Sequence, residues 1–274
     1  MAMLEGKRIG VIGGGKMGGA LIGGMISGGL LPSSALTVAD TDGTRLDELA
    51  KAYGIRVTRD NREAARGADL VLLSVKPQNM AEVLAGLTDA IGPAALVISI
   101  AAGIATTFLE ERLGKGARVV RVMPNMPALI GEGAAALAPG AFATEADLKM
   151  ARKIFDAVGI TVEVKEALMD AVTGLSGSGP GYAFVIIEAL TDAGVRMGLA
   201  RDVALRLAAQ SLLGAARMCL QGEHHPAELR DMVTSPGGTT LAGLKALEDG
   251  KLRAVLMSAV EAATRRSTEL GGRK

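Results

Sequence analysis

In the first part of the chain, short runs of valine, isoleucine and leucine alternate with stretches in which apolar residues recur every three or four positions. The runs are Lys7–Ile12 (KRIGVI), Ala35–Asp40 (ALTVAD), Gly54–Thr58 (GIRVT), Asp69–Val75 (DLVLLSV), Ala95–Ala101 (ALVISIA) and Arg118–Met123 (RVVRVM). Such runs, set between helical stretches, are the pattern of strands buried on both faces of a parallel sheet. Between Gly131 and Val164 the chain adds the apolar run GAAALA, a helix predicted over about Glu145–Val158, and a last strand, ITVEV. Beyond Lys165 the strand signal ends. Asp170–Phe184 (DAVTGLSGSGPGYAF) reads as a Gly/Ser loop running into a helix. Helices are predicted over Tyr182–Met197, Arg201–Leu220, Leu241–Glu248 and Lys251–Leu270, with a short one before Arg230. The pattern predicts an α/β N-terminal domain over 1–164 with a mostly parallel sheet, then an all-α domain over 165–274, and no fixed-period repeat.

The segment Tyr182–Met197 is apolar on nearly every side. A helix of that kind has to be covered all round, and the helical half has few elements to cover it. A second copy of the chain is the simplest cover, so a dimer with interleaved helices is expected.

The first strand leads directly into Gly13-Gly14-Gly15-Lys16-Met17-Gly18, and a helical pattern follows with Met17, Leu21, Ile22 and Met25 apolar. This is G-x-G-x-x-G in the context that gives it meaning: strand, tight turn, helix. Gly13 permits the turn, Gly15 lets the backbone approach a pyrophosphate, and Gly18 lets the helix pack close to the strand. The helix start offers N–H groups and a positive dipole end to phosphates. A Rossmann-type domain is the expected fold. Asp40, 22 residues beyond Gly18, ends the second strand. An acid there hydrogen-bonds the ribose hydroxyls of NAD and repels the extra phosphate of NADP; the alternative is a loop aspartate capping the helix that starts near Thr44. Asp40 leans to NADH, although Arg45 and Arg59 could neutralise a phosphate. Breakers stand just past three later strands: Lys76-Pro77, Ala102-Gly103 and Pro124-Asn125-Met126-Pro127. Ligands bind at such strand ends in open sheets, and Asn125 is a natural donor there; ordinary loop punctuation is the competing reading of each.

Composition narrows the functional classes. The 274 residues carry a net charge of +1, so no basic field points to nucleic acid. Aromatics are 2% with no tryptophan, which removes base-stacking platforms. A single cysteine, Cys219, excludes an intramolecular disulfide and reads as a core thiol. KRIGVIGGGKMGGALIGG echoes a signal peptide, but Lys16 breaks the apolar run and the glycine spacing is better explained by the turn. No uncharged apolar stretch reaches the length of a membrane span, so a cytoplasmic protein is expected. The two histidines, His224 and His225, precede Pro226 and read as loop residues.

One stretch of the helical half breaks its pattern: RDMVTSPGGTTLAGL, Arg230–Leu244. Pro236, Gly237 and Gly238 bend the chain, and Thr239 or Thr240 stands where a helix N-cap belongs. A glycine turn opening a helix exposes backbone N–H groups, and Ser235, Thr239 and Thr240 add hydroxyls. The site suits a small carboxylate; the plain alternative is a capped connection between helices.

Taken together, IGVIGGGKMGGAL, VKP, RVMPNMP, DAVTGLSGSGPGYAF and SPGGTTLAGL resemble the pyrroline-5-carboxylate reductase family over nearly the whole chain. The resemblance implies hydride transfer from NADPH or NADH to the C=N bond of Δ1-pyrroline-5-carboxylate, giving L-proline. It implies a Rossmann domain, a helical dimerisation domain, and dimers that often assemble into decamers. By the same resemblance Gly13, Gly14, Gly15, Lys16, Met17 and Gly18 form the pyrophosphate turn. Asp40 stands at a position that is often Ser in NADP-preferring members. Asn61 matches a residue on the adenosine side, and Val75-Lys76-Pro77 and Ala101-Ala102-Gly103 match backbone lining the cofactor. Asn125 matches the Asn near the nicotinamide. Ser235, Gly237, Gly238, Thr239 and Thr240 match the substrate loop, with the Thr240 hydroxyl reaching the ring nitrogen and Glu223 close to it. A cyclic imine brings its own positive charge when protonated, which explains the lack of a catalytic lysine or histidine. Two other readings compete: a dehydrogenase of 3-hydroxy acids, which would carry a helical lysine after the domain junction, and a dinucleotide-sensing scaffold, which has no use for the polar loop.

Overall fold

A computed structural model describes residues 4–272 of the chain. The chain divides into two compact units. The first runs through Ser178 and takes back the chain from Ala262 on; the second is Gly179–Glu261.

The first unit is built on one sheet of eight strands in the order β3-β2-β1-β4-β5-β6-β7-β8. These are β1 (Ile9–Ile12), β2 (Leu36–Ala39), β3 (Arg56–Thr58), β4 (Leu70–Leu73), β5 (Leu96–Ser99), β6 (Arg118–Met123), β7 (Gly133–Pro139) and β8 (Gly159–Glu163). Pairing is parallel throughout except between β6 and β7. The run GAAALA is thus a true strand, turned back against β6. In β4 the side chains alternate between two cores, Leu70 and Leu72 on one face and Val71 and Leu73 on the other. A strand with period two that is apolar at every position needs helices on both sides. On one face pack α1 (Lys16–Ser27), α2 (Gly43–Tyr53) and α6 (Glu145–Phe155), and on the other α3 (Asn61–Ala65), α4 (Met80–Leu87) and α5 (Thr106–Leu113). Each fully buried leucine or isoleucine contributes about 1.5–3 kcal/mol. Just before the starts of β1 and β4 the Asp69 carboxylate accepts the Arg8 N–H at 2.9 Å. That bond, with Lys7 nearby, holds its pKa below the ordinary carboxylate value.

The order 3-2-1-4-5-6 reverses direction between β1 and β4. That reversal opens the crevice in which doubly wound sheets hold dinucleotides. The glycine turn follows β1 and therefore sits at it.

The segment read as a Gly/Ser loop is helical. α7 (Met169–Val172) passes into a wide π-type turn over Thr173–Gly177, and the second unit opens with α8 (Gly179–Arg196). Ser178 N–H donates to Thr173 O, five residues back, at 2.9 Å. Pro180 lies in the first turn of α8, where its missing N–H costs nothing, so the composition of a loop is carried without breaking the helix.

The second unit continues with α9 (Arg201–Gln221), α10 (Pro226–Met232) and α11 (Thr239–Asp249), and α12 (Leu252–Gly271) starts in it. Its apolar residues are largely uncovered within one chain: Phe184 is 53% exposed, Val185 64% and Leu207 56%. Cys219, expected in a core, is exposed as well. It lies on α9, whose apolar positions likewise look outward. α9 is also long and apolar enough to cross a bilayer by length and composition, yet it carries Asp202, Arg206 and Arg217.

Candidate active site

Gly13, Gly15 and Gly18, the three glycines at the motif positions of the turn, differ in what surrounds them. Gly13 has φ +101, and a methyl group there would lie 2.6 Å from the Ser74 carbonyl oxygen. Gly18 is closed in too: a methyl group would strike the Gly13 carbonyl oxygen and meet Ser74 Oγ at 3.0 Å. These two glycines are demanded by the fold. Gly15 is exposed, and a methyl group there meets nothing within 4 Å. Gly15 is also the N-cap of α1, with no side-chain cap and no acid in the first turn. The first-turn N–H groups of an α-helix lack intrahelical partners. Room above the turn and an uncapped helix start are what a pyrophosphate requires, and Lys16 beside them adds a positive charge.

Asp40 is not a helix cap. That role belongs to Asp42, which accepts from Thr44 N and Arg45 N. Asp40 Oδ2 instead accepts the Gly14 N–H at 2.6 Å and Oδ1 the Asp42 N–H at 2.9 Å. The acid braces the glycine turn from the end of β2, and each carboxylate oxygen keeps a further lone pair for a ribose hydroxyl. Arg45 braces the same turn, its Nε donating to Gly14 O at 2.7 Å while Nη1 pairs with Glu48. The Arg59 guanidinium lies directly over Gly43, the first residue of α2. Asn61 opens α3, half-buried, just behind the Asp60 cap.

Val75, Lys76 and Pro77 follow β4, and Ala101, Ala102 and Gly103 follow β5. Pro77, Ala102 and Gly103 border one cavity of about 400 Å³, together with Thr173 and Ser178 of the wide turn. Asn125 follows β6 and is held on both sides. Its Oδ1 accepts the Ala134 N–H at 2.8 Å, and its Nδ2 donates to Ser176 O at 3.3 Å. The amide is thus fixed between β7 and the wide turn. Sequence reasoning picked out Asn125 but missed this brace, because Ser176 was read as loop. The Thr/Gly/Ser spacing carried no helical periodicity to reveal it.

In the second unit the turn between α10 and α11 is Ser235-Pro236-Gly237-Gly238. Gly238 N–H donates to Ser235 O at 2.9 Å and Gly237 has φ +68. Proline second and a left-handed glycine third is the signature of a type II turn. Ser235 Oγ sits where a side chain at position 238 would be. The N-cap of α11 is Gly238, with no side-chain cap. The expectation that Thr239 or Thr240 caps the helix is therefore corrected: both stand inside its first turn, because Gly238 already has the extended backbone a cap needs. Their hydroxyls are left off the cap, and Thr240 is half-buried. The loop edges an open cavity of about 690 Å³. The cations beside it are already paired, Arg230 with Asp231 and Lys245 with Asp249. Glu223 is exposed in the connection from α9 to α10. His225 caps α10, its Nδ1 accepting the Ala227 N–H.

The strand order, the glycine turn at its reversal and the acid after β2 define the dinucleotide-binding class of Rossmann proteins. The family model described as NADP oxidoreductase, coenzyme F420-dependent, matches residues 8–103, and the one described as pyrroline-5-carboxylate reductase dimerisation matches residues 166–270. The chain is 50% identical to the pyrroline-5-carboxylate reductase of Methanosarcina acetivorans over 268 residues, covering 98% of this chain and 99% of that one. The solved structure of a pyrroline-5-carboxylate reductase from Coxiella burnetii is similar with a TM-score of 0.92 at 39% identity, covering 96% of this chain and 98% of that one. That of the Plasmodium falciparum pyrroline carboxylate reductase, with NADP bound, has a TM-score of 0.85 at 33% identity, covering 97% and 99%. The chain belongs to the pyrroline-5-carboxylate reductase family.

Proposed function

We propose that the protein reduces Δ1-pyrroline-5-carboxylate to L-proline with NADH or NADPH, the last step of proline synthesis. The observation that carries the reading is the Ser235–Gly238 turn opening an uncapped α11, a seat for a small carboxylate on a chain similar to this family from end to end. We assign the dinucleotide to 1–164 and dimerisation with substrate binding to 165–274, in keeping with the last strand ending at Glu163. Gly13 to Gly18, Asp40, Asn61, Val75–Pro77, Ala101–Gly103 and Asn125 hold the cofactor, which supplies the hydride. Ser235, Gly237, Gly238 and Thr239 anchor the substrate carboxylate on backbone N–H groups and hydroxyls. The Thr240 hydroxyl hydrogen-bonds the ring nitrogen, and Glu223 orients or relays its proton. The protonated imine carbon accepts the hydride, the C=N double bond becomes a single bond, and the nitrogen becomes a secondary amine. The protein's part is positioning, which alone can supply several kcal/mol.

The working form is a homodimer in the cytoplasm, with the loop of one chain serving the cofactor of its partner; the family resemblance extends this to decamers. The uncovered apolar faces of α8 and α9, within the stretch that matches the dimerisation model, support the dimer.

Purified protein mixed with racemic pyrroline-5-carboxylate and either reduced cofactor should form proline; no product with either would sink the reading. Thr240→Ala should lower kcat about a hundredfold while leaving the cofactor KM in place. Unchanged turnover would remove the role given to that hydroxyl.

NADH is the preferred donor on the strength of Asp40, whose carboxylate repels a 2′-phosphate. Arg59 over Gly43 favours the opposite choice. Asp40→Ser should shift the ratio of kcat/KM values toward NADPH. A ratio that does not move leaves Asp40 as a brace for Gly14 alone.

A further inference from the structure

The cavity at the ends of β4 and β5 has a wall that no motif announces. Opposite Pro77, Ala102 and Gly103 it is lined by Ala263, Arg266, Ser267 and Leu270, the last turns of α12. Two observations show that this wall is held in place. Ser267, 5% exposed, donates its hydroxyl to Asp170 Oδ1 at 2.6 Å, and Thr268 donates to Asp170 Oδ2 at 2.9 Å. Both carboxylate oxygens of one residue in α7 thus clamp consecutive hydroxyls of the last helix, nearly a hundred residues on. Beyond the clamp, Gly271 lies so close to the Gly103 loop that a methyl group on it would stand 3.2 Å from Gly103 O. The lining combines apolar surface from Pro77, Ala102, Ala263 and Leu270 with a few polar groups. That is the composition of a pocket for a flat, weakly polar ring.

We propose that the last turns of α12 form one wall of the pocket for the nicotinamide half of the cofactor, and that Asp170 is a positioning residue that holds this wall through Ser267 and Thr268. The inference rests on the reading of the chain as a nicotinamide-dependent reductase. Asp170 touches neither partner in the reaction. It sets the distance between the Gly103 loop and Leu270, and it stands at the head of the wide turn whose Ser176 fixes Asn125. Loosening the clamp widens the ring's slot without disturbing the glycine turn, which holds the pyrophosphate on the other side of the crevice.

The test separates the two halves of the cofactor. Binding of NADH, NADPH and ADP-ribose, which lacks the nicotinamide ring, is titrated by calorimetry on the intact dimer. The proteins are the wild type, Asp170→Ala, Ser267→Ala, Ser267→Thr and Leu270→Ala. Asp170→Ala, Ser267→Ala and Leu270→Ala should weaken the reduced dinucleotides about tenfold and leave ADP-ribose unchanged. Ser267→Thr keeps the hydroxyl and should restore wild-type affinity. Equal losses for ADP-ribose and dinucleotide would overturn the proposal, as would unchanged dinucleotide affinity. If Asp170→Ala does not fold, Leu270→Ala, whose side chain is half-exposed, decides alone. Wild-type protein that binds no dinucleotide would fail the proposed function and this inference together. Wild-type binding with indifferent variants would fail this inference only.

Discussion

Gly15→Ala should leave the protein folded and strip it of most of its cofactor affinity. Ordinary substitutions in a glycine turn cannot separate these effects, since a damaged fold loses binding too. Here the surroundings separate them. A methyl group on Gly13 or Gly18 meets backbone carbonyl oxygens that cannot withdraw, so alanine at either should lower the melting temperature. On Gly15 it meets open space, and the residue's φ of −58 suits an L-amino acid. Alanine is a poorer N-cap than glycine by roughly 0.5–1 kcal/mol, and the stiffer unfolded chain returns about 0.4–1 kcal/mol. The balance is near zero, so the melting temperature should stay within a few degrees. The added methyl group occupies the place a pyrophosphate needs. Holding the phosphates off the helix start removes two charge-assisted hydrogen bonds of about 1.5 kcal/mol each, which is about a hundredfold in affinity. Calorimetric titration with NADH and a thermal melt on the same sample check both halves. Retained affinity would mean that the pyrophosphate lies elsewhere.

The parts of this protein that could be read from its residues are those where one physical requirement dominates. Strands buried on both faces are apolar nearly throughout, so β1, β4 and β5 stand out. A turn without room for Cβ must be glycine, so Gly13 and Gly18 stood out. The wide turn at Thr173–Gly177 did not, because glycine and serine in a helix look the same in sequence as glycine and serine in a loop. What keeps that segment helical is tertiary: Asp170 is held by α12, and Ser176 bonds Asn125. The cap of α11 was misplaced by one or two residues for a related reason. Threonine is a good cap, but Gly238 reached the extended conformation first. The brace that Asp40 gives Gly14 is invisible in sequence, because that bond crosses between strands that only the sheet brings together. The roles of Arg45 and Arg59 beside the same loop also depend on that pairing. For α8 the apolar pattern announces burial, and one chain does not provide it. That is the case in which sequence says more than a protomer shows, and under the proposed dimer the missing surface belongs to a second copy.

Leu207→Asp, placed on that uncovered surface, should therefore turn the proposed dimer into monomers and abolish turnover. Leu207 is 56% exposed on α9, one turn from Val203, which is exposed as well. In an isolated chain aspartate there is solvated and costs almost nothing, so helicity should be unchanged. Across a two-fold interface the same patch meets itself, and every substitution occurs twice. Two carboxylates then lose their water without partners, each at a cost of several kcal/mol. The two leucine side chains also lose about 1.5–3 kcal/mol apiece of apolar burial. The combined penalty exceeds the about 4 kcal/mol that separates a nanomolar from a micromolar dimer. Sedimentation at micromolar concentration should find monomers, and proline formation should disappear with them if each active site takes its substrate loop from the partner. Leu207→Met, similar in size and apolar, should keep both dimer and activity. A Leu207→Asp protein that sediments as a dimer would move the interface off this face of α9. A monomer that still makes proline would keep the interface and show that each chain supplies its own loop.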